Sequence, residues 1–298
     1  MFFEMLESKV TVESKSYEAI LASTGLRNIF NPSICKHKGS IYIAFRASSS
    51  RKDGGFDSYL LTISDVGGNS GLENLSVLAA GDGVEIVCDP KLLTLGGELW
   101  VTFNTGWHKD ENHLYLANLS GGYTRAIQCH FSGRRAVEKN WVFFIRGEFI
   151  YALYSLDEPI LMSANISDLV SEKKIIFEQQ ERFSVSGLSR GYTLGTQLVR
   201  HGDYYYFVAH KKLLYFGRRI YFGVISRFSF DRKHCERISP YLIHSIASLF
   251  GSSIKYNKNL ISCTYFSGIQ TLGDGTVLLS YGVNDMSFGV AVLRVEGL

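Results

Sequence analysis

The sequence predicts an all-β fold, a five-bladed β-propeller spanning residues 1–298 as one domain, and three features lead there. The first is composition: 46% of the residues are hydrophobic and 13% aromatic, with 29 Gly and only 4 Pro. Aromatic and β-branched runs punctuated by glycine read as strands and turns rather than helices. The second is a repeat, in which a Gly, a polar or small residue and an apolar-aromatic run recur together five times. The third is that every copy has a strand-like run before it and another after it. Units of about 50 to 70 residues with at least three strands each have the size of propeller blades.

Along the chain, the first unit reads NPSICKHK, GSIYIAFR (39–46) and DSYLLTIS (57–64). The second reads DPKLLTLG, GELWVTFN (97–104) and NHLYLANL (112–119), and the third KNWVFFIR, GEFIYALY (147–154) and PILMSANI (159–166). The fourth reads GTQLVRH, GDYYYFVAH (202–210) and RIYFGVIS (219–226), and the fifth SGIQTLGD, GTVLLSYG (275–282) and FGVAVLRV (288–295). In each, the Gly stands at the hairpin turn, where positive φ is needed. A fourth, outer strand is less clear. For the last unit, the segment near Lys9–Ser14 is expected to supply it and close the ring. A two-sheet sandwich also yields many short strands, but it does not call for five equivalent three-strand units. Between the fourth and fifth units, Asp231–Asn257 contains IHSIASLFGSS, which reads as a short rim helix, although periodicity over one or two turns is ambiguous.

The net charge of +3 is too small to argue for nucleic acid. The basic pairs Arg134-Arg135, Lys211-Lys212 and Arg218-Arg219 are scattered among apolar strand residues and read as solvated surface. A slightly basic balance suits an anionic substrate such as a sugar phosphate or nucleotide sugar. Five cysteines form no C-x-x-C pair and leave an odd thiol, which favours a reducing compartment. The opening MFFEMLESKV carries Glu4 and lacks the apolar region of a secretory signal, and no run of about 18 apolar residues is present to span a membrane. The expectation is a soluble, cytoplasmic protein. Its histidines show no metal-site spacing such as H-E-x-x-H, so neither a metal nor a cofactor is implied. No G-x-x-x-x-G-K-[ST] or strand-linked G-x-G-x-x-G occurs, so a nucleotide donor must be gripped by the propeller mouth.

In an antiparallel hairpin, the start of the first strand and the end of the second share one end. With first strands lining an axis, Asn31, Asp89, Lys139 and Gly195-Thr196 gather at one mouth. Arg46, Asn104, Tyr154, His210 and Tyr281 arrive there from the second strands. The turn glycines fall on the opposite face. Amide, acidic and cationic groups converging on a concave end suit a ligand with many hydroxyls. For Asn31 and Asp89 a plainer reading stays open, because both precede proline and such residues start turns.

With the units aligned, the chain resembles the five-bladed propellers of glycoside hydrolase family 130, the β-mannoside phosphorylases and hydrolases, and the related β-mannosyltransferases. The resemblance runs from about Ile29 to Val295 and rests on motifs. NPSI with the later AFR (Asn31, Arg46) resembles the sugar-binding elements of the first blade. Cys88-Asp89-Pro90-Lys91 resembles the family's E-D-P-R, whose Asp is the proton donor. Glu138-Lys139-Asn140-Trp141 resembles the Lys-bearing strand of the third blade. His210 stands where a Tyr-His pair ends a fourth-blade strand, and Tyr281-Gly282 with Asp285 resembles the closing Y-Y-G-x-x-D element. The departures are Cys88 and Lys91 in place of Glu and Arg, and Tyr154-Ser155 where the phosphorylases carry an arginine. Fewer phosphate-binding arginines speak against phosphorolysis. The sucrose-cleaving five-bladed propellers are rejected, because Asn31 stands where they need a nucleophilic Asp and an amide cannot attack an anomeric carbon as a carboxylate does.

Inverting transfer needs one group to move a proton at the glycosidic or acceptor oxygen and a separate nucleophile on the far face of the sugar. The resemblance implies Asp89 as the proton-transfer group. Arg46, Lys139 and His210 then hold a phosphate or diphosphate as cationic donors. Asn31, Asn104 and Asp285 fix sugar hydroxyls, and Tyr281 packs under the ring or reaches a phosphate. Each has an ordinary alternative: Asp89 as a turn residue, Arg46 and Lys139 as partners of carboxylates such as Glu138, and His210 as a satisfied strand-end imidazole. Trp141 reads as core packing. The leading expectation is a mannosyltransferase-like enzyme using a nucleotide sugar and a glycan acceptor. A β-mannoside phosphorylase or hydrolase comes second, and a non-catalytic glycan-binding propeller third.

Overall fold

The computed structural model describes residues 3–48, 55–64, 70–106, 111–138, 140–188, 190–250 and 257–295. The chain is predominantly β, and its strands follow the sequence repeat. The hairpin Phe30–His37/Ser40–Ser48 continues into Phe56–Ser64 and Ser70–Asn74 as an antiparallel sheet. Cys88–Leu95/Glu98–Asn104 continues into Leu114–Asn118 and Ile127–Phe131. Val142–Arg146/Phe149–Leu153 continues into Ile160–Asn165 and Lys174–Arg182. The outer strands of these last two units pair in parallel, Cys129 opposite Ile175, which merges them into one sheet.

In the fourth unit the first strand is interrupted. Tyr192–Leu194 and Val199–His201 both pair with the long Tyr204–Tyr215, which leads to Arg218–Ser229 and His234–Arg237. The fifth unit is Leu260–Gly273, Thr276–Val283 and Ser287–Arg294. The outer strand that the sequence left unclear is therefore present in the first four units. The five hairpin glycines all adopt positive φ, from 57° at Gly202 to 79° at Gly97, a conformation that a Cβ disfavours.

The apolar cores lie between successive units. Leu60 and Ala44 of the first pack with Val101 and Phe103 of the second, and Leu93 and Trp100 of the second with Trp141 and Phe143 of the third. Val142 and Phe144 meet Phe207 and Ala209, and Tyr206 and Val208 meet Phe266 and Leu279. Leu278 and Val290 of the fifth unit then pack against Ile34, Ile43 and Phe45 of the first. Both faces of the strands are thus covered, which explains why their middles read as continuous apolar runs.

The segment Lys9–Ser14 is not the expected outer strand. Leu6–Lys9 forms a 3-10 turn and Val12–Ser23 an α-helix. A reciprocal cap starts the helix: Thr11 Oγ1 accepts the Ser14 N–H at 3.1 Å and Ser14 Oγ the Thr11 N–H at 2.7 Å. Capping of this kind satisfies amides that otherwise lack partners. The helix buries Tyr17 and Leu21 beside Val290 of the last strand, whose N–H donates to Glu18 Oε1 at 3.3 Å. A side chain here does for an edge amide what a further strand does elsewhere. The strand Phe3–Met5 pairs instead with Tyr241–Ile243, next to the fourth unit.

The expected rim helix is Ile246–Leu249, capped by Ser245. Residues 251–256 of that stretch lie outside the described residues. Among the described residues, no helix is long and apolar enough to cross a membrane.

Candidate active site

Asn31 and Asp89 occupy equivalent places. Both lie in a register shift at the start of a first strand, and both adopt left-handed backbone, with φ of 50° and 49°. Asn and Asp tolerate this region far better than bulkier residues do. The shift breaks strict alternation and re-aims the side chains, the usual effect of a bulge. Asn31 Nδ2 donates to Asp89 Oδ1 at 3.5 Å, and Arg46 Nη1 lies 3.5 Å from the same oxygen. The Asp89 side chain retains 14% of its exposure and that of Arg46 19%, so this pair is partly open. The Arg46 guanidinium lies against both Phe30 and Phe56, 5.0 and 5.5 Å from their centroids, and the two rings pack edge to face 5.0 Å apart beside it. Burial alone would lower its pKa, but Cys88, Asp89, Asp285 and Tyr265 together raise it. Asp285 thus belongs to the electrostatic surroundings of Arg46. It lies in the Asn284-Asp285 turn, where both residues have φ of 55°.

Behind this pair is a buried polar cluster. Lys91 is 2% exposed. Its Nζ donates to Asn140 Oδ1 at 2.6 Å and to the Gly195 carbonyl, and it sits 5.6 Å from the Tyr265 ring centroid. Tyr265 OH donates to Asn140 Oδ1 at 3.3 Å. Burial pushes the Tyr265 hydroxyl well above its ordinary pKa, and the Asp89 charge adds to that rise. Lys91, Asn140 and Tyr265 were missed as a cluster in the sequence. The available signal was a lysine opening the apolar run KLLTL.

Several expected ligand contacts take other roles. His210 is 1% exposed, and its Nε2 accepts the Phe266 N–H at 2.8 Å, so this nitrogen cannot donate to a phosphate. Its ring lies 4.3 Å from that of Tyr265. It belongs to a set of side chains that satisfy inner-strand amides of an adjacent unit. Ser33 Oγ does so for Leu92, Gln197 Oε1 for Phe143 and Ser280 Oγ for Ile34. Asn104 donates to the Cys88 carbonyl at 3.3 Å and accepts the Gly106 N–H at 2.9 Å, which fixes the residue before Asp89. Tyr281 is 1% exposed and its hydroxyl is 3.2 Å from His244 Nδ1, so it packs in the core between the fourth and fifth units. Lys139 lies outside the described residues.

It is Gly282, not Tyr281, that faces the site. A Cβ there would fall 2.0 Å from Asn31 Oδ1 and 3.0 Å from Asn31 N. Gly282→Ala is expected to destabilise the protein by about 1–3 kcal/mol through overpacking. Adding Asn31→Ala should recover part of the loss in thermal melting, and an unchanged Tm for Gly282→Ala would remove the contact from the account.

Beside the cluster is a cleft of about 170 Å³ lined by Glu138, Trp141, Tyr154, Ser155, Asp157 and Leu194. Tyr154 OH donates to the Glu138 carboxylate, which also accepts the Arg135 N–H at 2.6 Å. Burial pushes the Glu138 carboxyl up, against those hydrogen bonds, which hold it down. Trp141 is core, as expected.

No protein-family model matches the chain, and no curated protein matches it. Solved structures do. A glycosyl hydrolase from Bacteroides ovatus superposes with a TM-score of 0.61 at 14% identity, covering 90% of this chain and 84% of that one. A GDP-Man-dependent mannosyltransferase from Leishmania mexicana gives 0.61 at 15% identity, covering 92% and 88%. A β-1,2-mannobiose phosphorylase from Listeria innocua gives 0.58 at 12% identity, covering 90% of each. The chain has a glycoside hydrolase family 130-like fold. At these identities the likeness is one of fold. Within this fold, the positions that the sequence motifs marked as Asn31, Arg46, Asp89 and Asp285 form one neighbourhood, whereas Tyr281 stands apart from it.

Proposed function

We propose that the chain is a single five-bladed propeller domain and a carbohydrate-active enzyme of inverting type, a mannosyltransferase-like protein that moves a sugar from a nucleotide-sugar donor to a glycan acceptor. The observation that carries this reading is the Asp89 carboxylate, partly open and held between an amide and a guanidinium. In the synthetic direction Asp89 takes the proton from the acceptor hydroxyl as that oxygen attacks the anomeric carbon, and the nucleoside diphosphate departs from the opposite face. Arg46, beside Asp89, stabilises developing negative charge. Asp285 and Asn31 orient hydroxyls. The order of shared cores, in which the fifth unit packs on the first, supports the propeller. Five free thiols support a reducing, cytoplasmic setting.

The cations favour transfer over phosphorolysis. Cationic donors strengthen the hold on free phosphate, and here Lys91 is committed to Asn140 and Gly195 while His210 Nε2 accepts a backbone amide. A nucleoside diphosphate adds base and ribose contacts and needs fewer cations. Incubation with GDP-mannose and manno-oligosaccharides is expected to release GDP and lengthen the acceptor. Absence of turnover with every nucleotide sugar would reject the reading, and release of mannose 1-phosphate from a β-mannoside in phosphate buffer would select phosphorolysis instead.

A further inference from the structure

The hairpin of Tyr204–Tyr215 and Arg218–Ser229 continues beyond His210 to a turn at Phe216-Gly217. Up to Lys211 it is covered on one side by Tyr192–Leu194, and from Arg219 on the other side by the strand that begins at Leu260. Beyond these supports Tyr215–Arg218 form the end of the hairpin.

The tip is apolar. Leu214 is 67% exposed, Tyr215 58% and Phe216 87%. Soluble surfaces carry scattered apolar residues, but a contiguous exposed group marks an interaction site. Its backbone sharpens the point. Phe216 and Gly217 form the turn with φ of 47° and 72°. Asn-Gly suits such a turn, whereas a bulky aromatic at positive φ is strained. That strain places an aromatic ring at the apex, with the Tyr215 ring 4.5 Å away.

Cations surround the tip. The stretch KKLLYFGRR (211–219) has four basic residues and no acidic one. Arg218 lies opposite Tyr215 and Arg219 opposite Leu214, so each face pairs an apolar group with a cation. Arg218 Nε donates to the carbonyl of Lys258, a further exposed cation. Ser262, opposite Ile220, donates to Ser248 O in the helix Ile246–Leu249. There Ile246 is 55% exposed, and Phe250 just beyond it 81%.

Leucine and aromatic side chains at an apex, ringed by arginine and lysine, match the layered chemistry of an anionic bilayer surface. Apolar groups sink about 5–10 Å into the headgroup region while the cations meet lipid phosphates and carboxylates. We propose that the 211–219 hairpin docks this protein on membranes rich in anionic phospholipid. This rests on the hairpin alone and stands whether or not the catalytic reading holds.

The full-length protein would be sedimented with vesicles of phosphatidylcholine alone and of three parts phosphatidylcholine to one part phosphatidylserine. Binding is expected to the second kind only, and to weaken as salt rises. Leu214→Ser with Phe216→Ser is expected to lower partitioning tenfold or more, and Arg218→Glu with Arg219→Glu by roughly 30-fold or more, since each cation near such a surface contributes about a factor of five. Phe216→Trp gives an independent readout: its emission, as a difference from the parent protein, should shift to the blue with the anionic vesicles. Failure of the parent protein to bind them, equal binding after loss of the tip side chains, or no spectral shift would each overturn the proposal. So would capture of the tip by single-stranded RNA or by a second copy of this chain in place of vesicles.

Discussion

Replacing Asp89 by Asn is expected to lower kcat for sugar transfer by roughly 10²–10⁴-fold, the usual weight of a positioned general base or acid. The substitution separates two roles that the sequence leaves open. Asp89 has φ of 49° in a register shift ahead of Pro90. Asn adopts that conformation as readily as Asp does, and its side chain has the same shape. A turn residue would therefore be replaced without loss, whereas a proton-transfer group would not. Tm and sugar affinity should stay close to those of the parent protein while turnover collapses. Retained turnover in Asp89→Asn would end the catalytic assignment, and collapse of Tm together with activity would return Asp89 to a structural role.

Much of the architecture was legible because its signals are local. The turn glycines and the alternation of apolar runs give hairpins directly, and the five hairpins form where the repeat puts them. The pairing of Arg46 with Asp89 followed from shared strand ends alone. What failed was the aim of individual side chains. Register shifts at Asn31, Asp89 and between Phe266 and Gly268 change which residues face inward, and a slip of one residue moves a side chain to the other face. Tyr281 was expected at the site for this reason, yet it is Gly282 that meets Asn31. His210 was read as a cation because charge is visible in a sequence. Its true partner, the Phe266 amide, belongs to a strand 56 residues away. The N-terminal helix was missed because its cap pairs Thr11 with Ser14 and lacks the Glu or Gln that usually announces one.

Lys91 supplies the second large effect. An ammonium that is 2% exposed must be fully engaged, since an unpaired buried charge is costly. Here it joins the second unit to Asn140 of the third and to the Gly195 carbonyl of the fourth, under the Tyr265 ring of the fifth. Lys91→Met keeps the volume and removes the donors. Each hydrogen bond to a charged group is worth about 1.5–3 kcal/mol, and the loss of a buried charge offsets part of the sum. Asn140 Oδ1 keeps the Tyr265 hydroxyl, but nothing in the substitution replaces the donor to Gly195 O. The net cost is expected to be about 2–4 kcal/mol, a fall in Tm of roughly 5–10 °C. Lys91→Arg retains the charge, yet a planar fork does not fit a cavity shaped for one ammonium and should also destabilise, by about 1–3 kcal/mol. If Lys91→Met melted with the parent protein, the ammonium would not be what ties these units together. If Lys91→Arg did so, the surrounding shell would have to be looser than its hydrogen bonds imply.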